Sequence, residues 1–192
     1  MPPIPPVTKY LMIACTAVFV MQLFAPLLDL VFALWPLGSG RFLPWQVISY
    51  AFLHGSTMHL FFNMFGLWMF GGELERLWGP RRYLMFLGAG ALAAAAAQMA
   101  ITALAGSIYP TVGASGALYA LLLAFGMLFP NRVIMPLFPP IPMKARTFVM
   151  VFGGLELLLG LTGGSGVAHF AHLGGMVGGF LMIRYWRGQP PF

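Results

Sequence analysis

Ser115, His59 and His172 are the residues in this chain whose types and positions suit a hydrolytic reaction. Ser115 lies between Gly113 and Gly116, a few residues into the apolar run VGASGALYALLL. The two histidines open two other apolar runs, MHLFFNMFGLW and VAHFAHLGGMVGGFL. A serine and two imidazoles, each near the start of an apolar segment, predict hydrolysis carried out within a membrane.

The serine needs a partner that accepts its proton. A hydroxyl is a weak nucleophile at neutral pH and must pass its proton to a base within hydrogen-bond reach. We expect His172 to be that base, because Gly175 and Gly179, with Gly174 and Gly178 beside them, let its helix approach another helix closely. The segment that contains Ser115 offers a matching surface of small residues, namely Gly116, Ala117 and Ala120.

The tetrahedral intermediate of such a reaction needs hydrogen-bond donors for its oxyanion. His59 and Asn63 are four residues apart, so they share one face of a helix, and both can donate from their side chains. The backbone N–H of Ser115, near a helix N-terminus, is a further donor. These three groups are the predicted oxyanion site.

The chain has only four acidic residues, and none lies beside either histidine in the sequence. We therefore expect a dyad of Ser115 and His172 rather than a triad. Glu156 lies near the middle of an apolar run, where an ionised carboxylate is costly unless it is paired or hydrated. Two interpretations remain open for Glu156: it bonds a polar group of the site, or it stays protonated.

The elements that position these residues must lie in a membrane, because the composition excludes a soluble domain. Of the 192 residues, 60% are hydrophobic and 7% are charged, and the mean hydropathy is +0.87. A bilayer is spanned by roughly 20 apolar residues. The fold class that we predict is an all-α membrane protein, a bundle of six transmembrane helices in one domain over 1–192. The predicted spans are about 10–34, 57–72, 82–106, 113–129, 147–163 and 167–186, the second and fourth being short.

The ten basic residues are spread between the spans rather than clustered, which argues against a nucleic-acid partner. Nine of them fall at the N-terminus, the C-terminus or in alternate connections, and only Arg41 falls in the other set. This positive-inside bias predicts that both termini are cytoplasmic. The basic residues of the Pro-rich segment 130–146 are also expected to favour anionic lipid at the inner leaflet.

This orientation brings the three chemical motifs to one side of the membrane. With the N-terminus inside, the second, fourth and sixth spans all begin at the outer side. His59, Ser115 and His172 each lie near such a beginning. The basic residues alone set the orientation, so the common depth of the three motifs is an independent indication of one site open to the outer side.

The chain resembles the rhomboid intramembrane serine proteases. The resemblance rests on GASG at 113–116, on HxxxN from His59 to Asn63, and on AHxxGxxxG from Ala171 to Gly179. It extends to WQVISYAFLHGSTMHLFFNM before and within the second span and to GGELERLWGPRR after it, and so covers nearly the whole chain as a six-helix core without an added domain. One departure is that Trp35 and Arg41 are separated, whereas many bacterial rhomboids carry a Trp-Arg pair in the first loop.

The resemblance implies a nucleophile at Ser115, a base at His172, and oxyanion donors at His59, Asn63 and the Ser115 amide. It implies that Tyr119 packs against the catalytic imidazole. It also implies cleavage of transmembrane protein substrates near the outer surface, without a cofactor, and a fifth helix that gates substrate access. A role for Glu156 in tuning that gate is a hypothesis.

Other interpretations of the same residues remain. Ser115 could serve only as a small packing residue, and His59 and Asn63 could only join helices. His169 and His172 could bind a metal together, although no third ligand lies near them in sequence. The alternative functions are a transporter, for which we find no internal repeat, and a rhomboid-like protein that binds transmembrane helices without cleaving them.

Overall fold

In the computed structural model, which describes residues 3–137, 140–162 and 168–188, most of the chain is helical. The helices in chain order are α1 (Pro6–Phe24), α2 (Leu27–Phe32), α3 (Gln46–Ser49), α4 (Thr57–Gly66), α5 (Gly72–Trp78), α6 (Pro80–Ala105), α7 (Ser115–Leu128), α8 (Ala145–Thr162) and α9 (His169–Trp186). Two short strands, β1 (Val133–Ile134) and β2 (Met143–Lys144), pair antiparallel.

The first predicted span, 10–34, is wrong in its bounds. Helix α1 begins earlier, at Pro6, and ends at Phe24, and the short α2 follows as a separate helix. Pro26 accounts for the break, because proline lacks the N–H that a continuing helix requires and its ring crowds the preceding turn. Pro6 suits the first turn of α1, where no N–H is needed.

The second helical segment is longer than the predicted 57–72. Helix α4 runs through a π-helical turn, Leu67–Gly71, directly into α5, so that the segment ends only at Trp78. Gly79, with φ of 78°, ends it, and Pro80 starts α6. The prediction of a short second span was therefore wrong, whereas the fourth helix, α7, is short at 14 residues. The predicted ends at 163 and 167 lie outside the described residues.

Glu75 joins the second helical segment to the start of α1. Its carboxylate accepts hydrogen bonds from the backbone N–H groups of Val7 and Thr8, at 2.9 and 2.7 Å, and from the Thr8 hydroxyl at 2.8 Å. An anion at a helix N-terminus satisfies unpaired N–H groups and interacts favourably with the helix dipole. This buried contact fixes the first helix against the α4–α5 segment.

Helix α9 lies at the centre of the fold and is held by its glycines. A Cβ placed on Gly175 would lie 1.9 Å from the Gly116 carbonyl oxygen of α7, and one on Gly179 would lie 3.0 Å from the Ala120 Cβ. The neighbouring Gly174 and Gly178 face α6 instead, where an added Cβ would lie 2.8 and 2.9 Å from backbone oxygens. Two glycine faces therefore let α9 contact α7 and α6 at the same time.

Three described helices are long and apolar enough to cross a membrane: α1, α6 and α8. Helix α7 is apolar but shorter. Many large apolar side chains are exposed along these helices, among them Leu23, Met150 and Leu158. A surface of this kind matches a lipid environment rather than water.

Candidate active site

Ser115 and His172 meet where α7 and α9 begin. Ser115 is the first residue of α7, and its Oγ lies 2.8 Å from Nε2 of His172, in the first turn of α9. The Ser115 hydroxyl is therefore directed to the imidazole. The close approach of Gly175 to Gly116 is what brings the two helix starts within hydrogen-bond distance.

Tyr119 lies one turn after Ser115 and stacks on the imidazole of His172. The two ring centroids are 4.3 Å apart and the ring planes differ by 6°. Ring stacking leaves the imidazole free to move within its plane but restricts its tilt. The contact implied for Tyr119 by the sequence resemblance is therefore present.

The loop before Ser115 is held by the first loop of the protein. The N–H of Gly113 donates to the Tyr50 carbonyl at 2.9 Å, and Thr111 exchanges two backbone hydrogen bonds with Leu34. The Tyr50 hydroxyl in turn donates to the Ala91 carbonyl of α6 at 2.7 Å. Gly113 has φ of 124°, a conformation that L side chains rarely adopt, so glycine is required there.

His59 and Asn63 lie on one face of α4 and border the same cavity as Ser115. A Cβ on Gly113 would lie 2.6 Å from Nε2 of His59 and 3.6 Å from the Ser115 Oγ, so the His59 ring is close to the nucleophile. The Gly55 N–H points to Nδ1 of His59 at 3.4 Å. Nδ1 is therefore an acceptor, which leaves the proton on Nε2 as a donor toward the site.

Asn63 is 2% exposed, and its Nδ2 makes no hydrogen bond within the described residues. Buried polar groups without a partner are rare and costly, and they concentrate at functional sites. An unpaired amide donor beside the nucleophile is suited to receive an oxyanion. His59, Asn63 and Ser115 thus line the same cavity.

The site opens into a cavity of about 1130 Å³. Its walls come from α4, from the loop at Tyr109–Val112, from α7, from Ile134 and from Phe148 and Phe152 of α8. The lining is mostly apolar, and its polar members include Ser115, His172 and Asn63. A cavity of this size and character could hold an extended apolar peptide segment.

Glu156 bonds polar groups of the site, which is the first of the two interpretations left open from the sequence. Its Oε2 lies 2.6 Å from Nδ1 of His169 and 2.9 Å from Nδ1 of His172, and its Oε1 accepts from the Tyr119 hydroxyl. Glu156 is separated from both histidines in sequence but lies beside them in space. The reason is that α8 packs against α9 with Glu156 among its few buried side chains.

The metal interpretation is changed by the same contacts. A third candidate ligand, the carboxylate of Glu156, lies beside His169 and His172. The three ligand atoms are within 4.8 Å of one another. The separations of 2.6 and 2.9 Å are those of hydrogen bonds and ion pairs. Each imidazole can donate its Nδ1 proton to the carboxylate, which explains the arrangement without a metal ion.

Several residues that position the site were not singled out from the sequence. Gln46 is fully buried and bonds the backbone of Val31, Trp35, Arg41 and Leu43, which organises the first loop. The sequence signal for this role was Gln46 itself, an amide side chain in the mostly apolar run WQVISYAF.

The separated Trp35 and Arg41 also meet in this loop. The Arg41 guanidinium lies 4.8 Å from the centroid of a Trp35 ring. The five intervening residues include the 3₁₀ turn Leu37–Ser39, which reverses the chain. The departure from the Trp-Arg pair in the sequence is therefore compensated by a contact in space.

His54, in the segment before α4, is buried. Its backbone N–H donates to the Gln22 side-chain oxygen at 3.0 Å. Burial, with a smaller contribution from the neighbouring His59, lowers the pKa of His54 to about 4. A neutral His54 packs edge-on against the His59 ring, 5.1 Å away between centroids.

Together these features define a helical protein with a serine and a histidine paired in a mostly apolar cavity that His59 and Asn63 also line. The rhomboid domain family matches residues 41–188 of the chain. Curated relatives include the rhomboid protease GlpG of Yersinia pestis (strain Pestoides F), 28% identical over 186 residues, and that of Serratia proteamaculans (strain 568), 31% identical over 185 residues. Each match covers 94% of this chain and 62% of the relative.

The chain therefore belongs to the rhomboid family. It spans 62% of the length of these curated relatives. Family membership and the apolar helices together make it an integral membrane protein.

Proposed function

We propose that this protein is an intramembrane serine endopeptidase that cleaves transmembrane protein substrates near the outer membrane face. In this proposal the chain forms one domain whose six membrane-spanning segments are α1, α4 with α5, α6, α7, α8 and α9. Both termini are cytoplasmic, and the cavity at Ser115 opens toward the outer side.

The observation that carries the proposal is the 2.8 Å contact between the Ser115 Oγ and Nε2 of His172. A serine used only for packing would not require an imidazole directed at its hydroxyl. The unpaired Nδ2 of Asn63 in the same cavity supplies a donor where the reaction would need one. The named relatives are rhomboid proteases, which agrees with this chemistry.

The reaction begins when the Ser115 Oγ attacks the carbonyl carbon of a substrate peptide bond while its proton passes to Nε2 of His172. The oxyanion that forms accepts hydrogen bonds from Asn63, His59 and the Ser115 N–H. As the C–N bond breaks, Nε2 gives its proton to the departing amine, and an acyl-serine remains. A water molecule then gives a proton to Nε2 of His172 and attacks the ester carbonyl carbon. The bond from that carbon to the Ser115 Oγ breaks, Nε2 returns the proton to Oγ, and the acid is released.

The cavity explains how this chemistry proceeds in an apolar protein. Its wall includes polar backbone at Gly55 and at the loop 107–112, so water can reach the ester from one side. Phe148 and Phe152 of α8 form part of the opposite, apolar side. A substrate helix that unwinds locally could therefore enter between α4 and α8 from the lipid.

The test is cleavage of a generic transmembrane reporter by the purified protein in detergent and in liposomes. We expect Ser115→Ala and His172→Ala each to lower kcat by about 10³-fold or more, because nucleophile and base act as a unit. Thermal melting should stay close to that of the wild type, since both substitutions leave the helix contacts in place.

The matched control is Ser39→Ala, which removes a serine hydroxyl in the first loop that bonds the Pro36 carbonyl. It should cleave at the wild-type rate. Cleavage by Ser115→Ala at the wild-type rate would contradict the proposal. Binding of the reporter without cleavage by any form would instead favour a helix-binding protein.

A further inference from the structure

Glu156 is an acidic side chain near the middle of a helix that is long and apolar enough to cross the membrane. It is 8% exposed. The remaining buried side chains of α8, Ala145, Phe148 and Val149, all lie in its first half. Burying an ionisable side chain in such a segment costs free energy unless polar partners compensate it, so such residues usually serve a function.

The contact between Ser115 and His172 fixes where the imidazole proton must lie. For Nε2 to accept the serine proton, a neutral His172 must carry its own proton on Nδ1. That N–H is buried and needs an acceptor. Nδ1 makes no well-directed hydrogen bond within the described residues, but Oε2 of Glu156 lies 2.9 Å away. A small rotation of either group would complete the bond.

Glu156 also holds His172 through Tyr119. Its other oxygen, Oε1, accepts from the Tyr119 hydroxyl, while the Tyr119 ring stacks on the imidazole at 4.3 Å. One carboxylate thus controls the imidazole in two ways, at the edge through Nδ1 and at the face through the stacked ring. A carboxylate has acceptor sites enough for these donors and for His169.

We infer that Glu156 is a positioning residue that completes a Ser115–His172–Glu156 triad. It selects the productive tautomer of His172 and stabilises the imidazolium that forms when the serine proton is transferred. This inference rests on the proposed function and goes beyond it, since a serine and histidine dyad requires no carboxylate.

His169 is the second imidazole on this carboxylate, with Nδ1 at 2.6 Å from Oε2. It lies three residues before His172, and the two rings are nearly perpendicular. Its contact holds the oxygen that faces His172 in place. The same three side chains are also the set that would ligate a metal ion, so the experiment must separate these two uses.

The experiment measures two rates on the purified full chain: labelling of Ser115 by a small fluorophosphonate, and kcat and KM on the transmembrane reporter. The fluorophosphonate reports activation of the nucleophile without admission of a substrate helix. We expect Glu156→Gln to slow both labelling and kcat by about 100-fold or more, with KM nearly unchanged, because the amide can donate to Nδ1 and favour the wrong tautomer.

Two variants separate positioning from folding. Glu156→Asp retains the carboxylate on a side chain that is one methylene shorter. It should label at least about tenfold faster than Glu156→Gln. Glu73→Gln is the matched control, because it removes an exposed carboxylate that pairs with Arg132 away from the cavity. It should label and cleave like the wild type. All rates are taken at a temperature below the melting transition of every variant.

Glu156→Gln that labels at the wild-type rate would overturn the inference, even if reporter cleavage falls, since the defect would then lie in substrate admission. Equal slowing in Glu156→Asp and Glu156→Gln would overturn it as well. Loss of wild-type labelling on treatment with EDTA, restored by Zn²⁺, would show a metal site instead. If wild type and Ser115→Ala label equally little, the proposed function fails, and the triad fails with it.

Discussion

Asn63 lies in the site with its amide nitrogen buried and without a hydrogen-bond partner within the described residues. In the resting protein this costs stability. In the proposed reaction the same donor gains an oxyanion partner only as the tetrahedral intermediate forms. An interaction that is made in the transition state and not before is the kind that raises kcat.

Asn63→Ala is therefore expected to lower kcat by about 10²- to 10³-fold with little change in KM, the usual effect of removing one oxyanion donor. Its melting temperature should change little, because the Asn63 Nδ2 makes no hydrogen bond within the described residues in the resting state. Steady-state cleavage of the reporter and thermal melting provide the two measurements.

Asn131→Ala is the control for this substitution, since Asn131 is exposed in the segment between α7 and β1. It should leave both kcat and the melting temperature unchanged. An equal fall in activity for both variants would mean that Asn63 acts through general stability, and a rise in KM alone would mean that it binds the ground state.

At the scale of elements, the contact between α7 and α9 decides whether the serine and the histidine can meet. Gly116 and Gly175 bring the two backbones so close that no side-chain carbon fits between them. Apolar attraction does not favour helix association in lipid, so close packing of small residues has to supply it. The glycines are thus part of the catalytic geometry although they touch no substrate.

Gly175→Ala should separate α7 from α9, because its Cβ would lie 1.9 Å from the Gly116 carbonyl oxygen. We expect a loss of stability of about 1–3 kcal/mol or more, as for overpacked cores. Since the Ser115 and His172 contact depends on this approach, activity should fall at least about tenfold. Thermal melting and reporter cleavage measure the two effects.

The matched control is Gly88→Ala in α6, where nothing lies within 4 Å of the added carbon. The same substitution there should leave activity unchanged and keep or slightly raise the melting temperature, because alanine lowers the entropy of the unfolded helix. Wild-type activity in Gly175→Ala would contradict the role given to the α7 and α9 contact.

At the scale of the whole molecule, the uneven distribution of basic residues sets the proposed orientation. Nine of the ten lie at the termini or in the connections assigned to the cytoplasm. The cavity that holds Ser115 is bordered by the loop 107–112, which belongs to the opposite side in this assignment. Orientation and site are thus linked, and a test of one bears on the other.

Single cysteines can test the orientation, because the one native thiol, Cys15, is buried and 2% exposed. Gly38→Cys, in the first loop, should react with a membrane-impermeant maleimide in intact cells. Ile141→Cys, between β1 and β2, should react only after the membrane is permeabilised. The unchanged protein, with Cys15 alone, should remain unlabelled and serves as the background. The reverse pattern of labelling would invert the topology and place the cavity at the cytoplasmic side.

The sequence by itself determined the kind of protein and most members of its site. An apolar composition dictates helices, because lipid forces the backbone to satisfy its hydrogen bonds internally. A local motif surrounds each of four residues of the candidate site, and its spacing indicates the partner or the helix face of that residue. These residues are Ser115, His172, His59 and Asn63. Such information is local, and it could be deduced without knowing how the helices pack.

The tertiary structure decided the remaining features. Pro26 was visible in the sequence, but the break between α1 and α2 was not expected from it. Glu156 lies 16 residues from His172 in sequence, and only the packing of α8 on α9 brings its carboxylate within 2.9 Å of Nδ1. Tyr50 and Gln46 likewise act through residues distant in sequence. Contacts between elements depend on how whole helices pack, and no short motif encodes that.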